Sequence, residues 1–384
     1  MLGYDRKALL QVATLLNGLS SHTAELDDGI ISGIIHPGAP VFTALLAVAE
    51  QRNIDFEHFC KGVVAGYEAS TRMANAIQPS HKKKGYHASA TCGMLGVTVG
   101  VAVMLDYSFW NLKNAFSAAV ATTHGTLKVL EDNSELKPYN VAMAAKDGIE
   151  AAFVGSLFNG PVDPLEGYAG FLAQATDEVD YDKLFQGLNG KYCIEDVYTK
   201  PYAACRYCHP SIENVLKLQS ETNINPDDIE RIDIRTYSLA VDKHDNTTVG
   251  NVSAAKMSIP FATAVTFCKG SASVDAYSDD TVNDPSVNSL MRKVHVAADE
   301  DFSQAFPKLS IATMKVTTTD GHVFESKTDL PKGEAVNPMT DEELADKFIS
   351  LACWSGLNEE KAKKIAEDIL THDINIKALI EHLK

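Results

Sequence analysis

The sequence predicts a mainly helical protein with an α+β part inserted in it: an all-helical domain formed by both chain ends and a smaller α+β domain between them. Three observations carry this expectation. The first half holds a series of stretches with apolar residues at spacings of three and four, separated by short Asn, Asp, Gly or Pro breaks. From about residue 200 the pattern alternates, as in "IERIDIRTYSLAV", and "SIATMKVTTTDGHVFESKTDL" joins two β-branched runs at Asp320-Gly321, a hairpin signal. The tail returns to helical spacing, so the divisions read as 1–198, 199–338 and 339–384.

In chain order, "MLGYDRKALLQVATLLNGLSS" places Leu9, Leu10, Val12, Ala13, Leu15 and Leu16 near helical spacing. Gln11 and Asn17 interrupt the apolar run and no small-residue cleavage site follows, which predicts an amphipathic helix and not a signal peptide. Helices follow over 39–51, 54–76, 88–105, 111–125 and 140–158. Two of them are rich in small residues: "GMLGVTVGVAV", with Gly93, Gly96 and Gly100, and "NVAMAAKDGIEAAF". Glycine costs a helix about 1 kcal/mol relative to Ala, so its repetition along one face predicts closely approaching helices. "AKMSIPFATAVTFCKG" reads as a helix with Pro260 near its start. In the tail, Thr340 is an N-cap before an acidic first turn, and "NEEKAKKIAEDIL" carries mixed charges at i,i+4.

The net charge of −17 argues against a nucleic-acid partner, since a phosphate backbone needs extended positive surface. A small anion is compatible if cations gather in one pocket. The longest apolar run, Met94 to Leu105, is too short to span a bilayer. The seven cysteines are scattered, and without an export signal they predict reduced thiols in a soluble, cytoplasmic protein.

Four stretches carry candidate chemistry. In "SHTAELDDGIISGIIHPGAP", Glu25, Asp27 and Asp28 precede His36, a grouping that fits a metal site or a tuned imidazole. The Pro-Gly turn puts His36 at a helix start, where an imidazole stays neutral and suits a general base. In "PSHKKKGYHASATCG", Lys82, Lys83 and Lys84 read as a solvated loop, and His87 opens the next helix as either a cap or a site residue. In "SELKPYNVAMAAKDG", Lys137 stands at a helix N-terminus, an unfavourable place for a cation unless an anion lies between it and the free N–H groups. Lys146 on the same helix reads as structural.

The fourth stretch, "KPYAACRYCHP", contains a literal C-x-x-C-H at Cys205, Cys208 and His209. Haem attachment requires export, a redox dithiol requires a thioredoxin-like unit, and zinc requires a second ligand pair for which Cys193 is the nearby candidate. None fits its surroundings. What remains is a cationic patch of Lys200, Tyr202, Arg206 and His209, suited to carboxylates. No Gly-rich phosphate loop, G-x-S-x-G or H-E-x-x-H is present.

Taken in order, "HTAELDDG...HPGAPV", "GYEASTRMANAI", "GYHASATCGMLG", "LKPYNVAMAAKDGIEAAF" with "PLEGYAGF", "YTKPYAACRYCHPSIENVLKL" and "GEAVNPMTDEELADKF" resemble the MmgE/PrpD family. That family includes 2-methylcitrate dehydratase, cis-aconitate decarboxylase and iminodisuccinate epimerase. The resemblance implies a homodimeric enzyme working without metal or organic cofactor on a small di- or tricarboxylate, between the helical domain and an α+β lid. By motif it implies His36, His87, Lys137 and Lys200 as catalytic groups. The motifs also carry over Glu25, Asp27 and Asp28, which with Tyr202, Cys205, Arg206 and His209 of the fourth stretch are the substrate-binding candidates. The breadth of the family favours a hydro-lyase, with an epimerase, a decarboxylase and a non-catalytic carboxylate binder as alternatives. The chain departs from the pattern by beginning some tens of residues in. It also has Gly29 where decarboxylase-like relatives carry a hydroxyl, and Cys205 where some relatives have histidine.

Overall fold

The computed structural model describes residues 2–4, 6–188, 190–371 and 375–383. Six long helices build the first half of the described residues: α1 (Leu10–Thr23), α2 (Gly38–Arg52), α3 (Phe56–Ile77), α4 (Ala88–Met104), α5 (Phe109–Thr122) and α6 (Lys137–Glu150). Apolar on all sides, α4 is buried along nearly its whole length and packs against α2, α3, α5 and α6. The predicted close approach is between α4 and α3, where a Cβ on Gly96 would lie 2.5 Å from the Gly66 carbonyl oxygen. α6 starts three residues earlier than its spacing suggested, at Lys137, and runs into a π-helical turn over Ala151–Gly155.

In the α+β part, helices α7 (His209–Glu221) and α8 (Ile259–Lys269) cover one face of a sheet. Its strands are β3 (Ile229–Thr236), β4 (Val294–Ala298), β5 (Ala312–Thr318) and β6 (Val323–Thr328), in the order β4-β3-β5-β6. β3 and β4 are parallel, and the other pairs are antiparallel. Ile232, Ile234, Met314 and Val316 point into the core beneath the helices, whereas Glu230, Arg231 and Arg235 face solvent. The hairpin turns at Asp320-Gly321 as expected. β4 was not foreseen from its short "VHVAA" pattern.

Two further strands, β1 (Asp28–Gly29) and β2 (Tyr198–Thr199), tie the two parts together antiparallel, with Gly29 opposite Tyr198. A side chain at Gly29 would collide with the Tyr198 ring and hydroxyl, so this position holds glycine.

The tail forms α9 (Asp341–Trp354), α10 (Glu359–Leu370) and α11 (Ile376–His382). Thr340 caps α9 in a reciprocal box with Glu343. Ile376 and Ile380 of α11 pack with Val41 and Leu45 of α2, bringing the chain end back to the helical part. No helix among the described residues is long and apolar enough to cross a membrane.

Candidate active site

Loop 24–37 joins α1 to α2 and brings most of the first candidate stretch together. Glu25 adopts φ +54, a left-handed conformation that costs a non-glycine residue on the order of 1–3 kcal/mol and persists only where its surroundings impose it. Here they do. Its buried carboxylate pairs with Lys137 and accepts from Lys200 Nζ at 3.0 Å. Lys200 also donates to Asp27 at 3.3 Å and is fully buried. Lys256 and Lys347, from the α+β part and α9, donate to the carbonyls of Thr23 and Leu26 at 3.1 and 2.7 Å. The Leu26 side chain enters the α+β core, a burial worth about 1.5–3 kcal/mol.

These pairs set the charge states. Burial alone would raise Glu25, but Lys137 and Lys200 hold its carboxyl well below the usual range. Burial likewise opposes the low pKa of Asp27, which His22 and Lys200 impose; His22 Nδ1 is 2.7 Å from the Asp27 carboxylate. Burial also acts against Lys200, yet Asp27 and Glu25 keep its ammonium firmly protonated. Asp28 stands apart. Burial raises it to about 6 while it accepts from the Tyr67 hydroxyl and from the Gly38 amide at 2.9 Å, capping α2.

Beside this network lies a cavity of about 90 Å³ between the helical and α+β parts. It is far below the roughly 300–1,000 Å³ of sites for drug-sized ligands, so it suits a small molecule. His36 and His87 line it from the starts of α2 and α4, and Lys137 lines it from the start of α6. His36 Nδ1 is 2.6 Å from the Asp28 carbonyl, which can only accept, so Nδ1 carries the proton and Nε2 keeps its lone pair. His87 does not cap α4, and its buried Nδ1 has no hydrogen-bond partner. Burial, reinforced by nearby lysines, lowers His36 to about 3 and His87 well below the ordinary imidazole value, so both rings are neutral.

Several sequence-based assignments change. Glu25, Asp27, Asp28 and Lys200 lie behind the cavity wall and not on it. The anion that relieves Lys137 at its helix start is the protein's own Glu25. Arg206 reaches the wall, but its five N–H donors are all used: Glu334 takes two at 3.1 and 2.6 Å, the Lys332 and Pro331 carbonyls take one each, and His209 Nδ1 takes the fifth at 2.9 Å. It also stacks on Tyr198 at 4.7 Å. It clamps the 331–334 segment and offers no free fork to a carboxylate. His209 is fully buried between Arg206 and the Ala204 carbonyl, and Tyr202 packs against its ring outside the cavity. Of the fourth stretch, Cys205 and Tyr207 also line the cavity. All seven cysteines are free thiols, and no three His, Cys, Asp or Glu side chains among the described residues are grouped to hold a metal ion.

Lys82 is a further correction. Only Lys83 and Lys84 of the basic run are exposed; Lys82 turns inward, lines the cavity and lies 5.0 Å over the Tyr207 ring. Among the described residues no carboxylate lies within ion-pairing distance of it, and burial lowers its pKa. His22, Tyr198, Tyr207 and His244 also belong to the site and its support. His22 had the best signal, five residues before Asp27 in the same quoted stretch; His244, in "VDKHDN", had none. A larger cleft of about 460 Å³ is lined by Asp163 and Glu166 and by no lysine or arginine, which disfavours it for a carboxylate. The His81 ring on its wall is satisfied by the Ala175 carbonyl and Thr91.

Comparison with known proteins agrees with this architecture. The cis-aconitate decarboxylase-like protein oryM of Aspergillus oryzae (strain ATCC 42149 / RIB 40) is 24% identical, over 97% of this chain and 81% of its own length. The human cis-aconitate decarboxylase is 26% identical over 88% of this chain and 71% of its own, and the mouse protein 23% over 88% and 70%. Residues 1–184 match the MmgE/PrpD N-terminal domain and residues 202–372 match the MmgE/PrpD C-terminal domain. With both domains matched in order across nearly its whole length, the chain belongs to the MmgE/PrpD family.

Proposed function

We propose that the protein is a lyase that moves a proton at the carbon next to a carboxylate of a small di- or tricarboxylate, using its own side chains. The observation that carries this is His87: a neutral, buried imidazole with an unpartnered ring nitrogen, set in a small cavity beside Lys137. A neutral imidazole accepts a proton, and the resulting imidazolium returns it. Proton loss or decarboxylation leaves an electron pair on that carbon, spread into the carboxylate as an enediolate-like charge. Lys82 and Lys137 are placed to stabilise such charge, together with the helix starts at His36, His87 and Lys137. Lys200, Glu25 and Asp27 act from behind as positioning residues.

The names of the matched relatives favour decarboxylation of cis-aconitate as the first reaction to assay. Dehydration of 2-methylcitrate, the reading suggested by the breadth of the family, needs the same groups plus protonation of a departing hydroxyl. A homodimer accompanies this reading: Phe109 and Trp110 at the start of α5, and Leu157 and Phe158 after α6, are large exposed apolar side chains.

The test is incubation with cis-aconitate, 2-methylcitrate, citrate and iminodisuccinate in deuterium oxide, followed by NMR. Turnover or deuterium uptake next to a carboxylate is expected, falling by about 10²–10⁴-fold in His87→Gln with an unchanged melting curve. Saturable binding with no exchange would identify a non-catalytic binder. Full activity in His87→Gln would remove the assignment.

A further inference from the structure

The α+β side of the cavity carries a second pair of titratable groups, Cys205 and His244, that the reading above leaves unused. Cys205 is anchored by its amide, which donates to the Lys256 carbonyl at 2.8 Å. Its side chain remains partly exposed, whereas Cys208, one turn on, is fully buried. His244 is held on two sides. Its Nδ1 lies 2.6 Å from the Asp242 carbonyl, and its ring meets Tyr207 edge-on at 5.1 Å. Because that carbonyl can only accept, Nδ1 bears the proton and Nε2 is the acceptor left for a neighbour. Cys205 lines the same cavity as His244, and its thiol is the titratable neighbour on which the imidazole acts. A thiol, an imidazole and a carbonyl that sets the tautomer form the arrangement in which a cysteine becomes reactive.

We propose that Cys205, positioned by His244, exchanges a proton with the bound carboxylate from the α+β wall, while His36 and His87 approach it from the helical wall. This rests on the acid–base reading above. In the forward step the Cys205 thiol proton has passed to His244 Nε2, and Sγ, as thiolate, takes a proton from the carbon next to the carboxylate. The C–H bond breaks, an S–H bond forms, and the electron pair stays on carbon and spreads into the carboxylate. The reverse step returns the proton and restores the thiolate.

The surrounding charges favour that state. Lys82, Lys137 and Lys200 act on Cys205 from three separate segments, and Glu25 is the carboxylate that opposes them. The other titratable neighbours are the neutral hydroxyls of Tyr198, Tyr207 and Tyr237 and the Cys208 thiol, all raised by burial. Burial would raise Cys205 as well, but His244 and then Lys137 outweigh it and bring the thiol down to about 7.

Two measurements on the full chain test the proposal. The first is the rate of iodoacetamide alkylation of Cys205 between about pH 6 and 9, read by peptide mass spectrometry; it needs no turnover. A midpoint near pH 7, slowing by at least about tenfold in saturating citrate, and an upward shift of about one unit or more in His244→Asn are expected. An ordinary thiol midpoint that His244→Asn does not move would overturn the pair, whatever becomes of the acid–base reading. The second is turnover of Cys205→Ser, expected to fall by about 10²-fold or more with unchanged melting. Full turnover in Cys205→Ser, with His87→Gln inactive, would overturn the proton exchange while leaving the acid–base reading intact.

Discussion

His36 Nδ1–H donates a hydrogen bond to the backbone carbonyl of Asp28, 2.6 Å away, while the Asp28 side chain turns the other way to cap the helix that His36 precedes. One residue thus sets both the tautomer of the imidazole and the start of α2. The carboxyl does this at a cost. Its folded pKa, about 6, lies above the value of 3.8 for a free side chain, so its contribution to stability is present below about pH 4 and is lost as pH rises through about 6. The loss is on the order of 3 kcal/mol. Asp28→Asn keeps an acceptor for Gly38 and removes the titration. The variant is expected to gain stability relative to the wild type as pH goes from about 4 to about 7.5, read as a difference in urea midpoints. Parallel pH profiles for the two proteins would count against this assignment.

Glu25 and Lys137 illustrate a stronger dependence. Glu25→Gln leaves Lys137 and Lys200 buried with too little negative charge, and the expected loss is about 3–5 kcal/mol. Lys137→Ala is expected to destabilise by less, because the Glu25 carboxylate keeps Lys200 at 3.0 Å. The double variant Glu25→Gln/Lys137→Met is expected to recover a large share of the single-variant losses, because neither charge is then left alone. Strictly additive losses in denaturant titrations would show that the pair is not coupled.

Lys82 is the lysine at the cavity wall with no carboxylate within ion-pairing distance among the described residues, which leaves its ammonium for a substrate. Lys82→Met preserves the packing against Tyr207 and removes one charge-assisted hydrogen bond, worth about 1.5–3 kcal/mol. In kcat/KM this is a fall of about 10–100-fold with little change in melting temperature. An unchanged kcat/KM would place the substrate carboxylates elsewhere.

Arg206 predicts the opposite split. Arg206→Lys keeps the charge and loses the planar fork that holds Glu334 and the Pro331 and Lys332 carbonyls. The protein is expected to lose on the order of 2–4 kcal/mol of stability, with KM nearly unchanged. A large rise in KM at full stability would restore Arg206 to substrate binding.

Much of the architecture was legible because it rests on local spacing. The helices over 38–52, 56–77 and 88–104, the Thr340 box and the Asp320-Gly321 hairpin each follow from periodicity or turn chemistry within a few residues. β1, β2 and β4 were missed because strands of two to five residues are too short to show an alternating pattern. His36, His87 and Lys137 were recognisable for a related reason: each is a titratable residue at the start of a helix, and the starts of α2, α4 and α6 meet at one cavity.

What the sequence by itself determined was therefore the elements, their succession and the inventory of charged groups that the site draws on. Which of those charges remain available was decided only by tertiary structure. Lys200 meets Glu25 across 175 residues, Lys137 meets it across 112, and Arg206 meets Glu334 across 128. Lys82, inside a run that reads as solvated, is turned inward against Tyr207 from 125 residues away. Helical and strand periodicity report the face a residue occupies on its own element. Neutralisation depends on distances of 3–4 Å between elements, and local spacing carries no information about those.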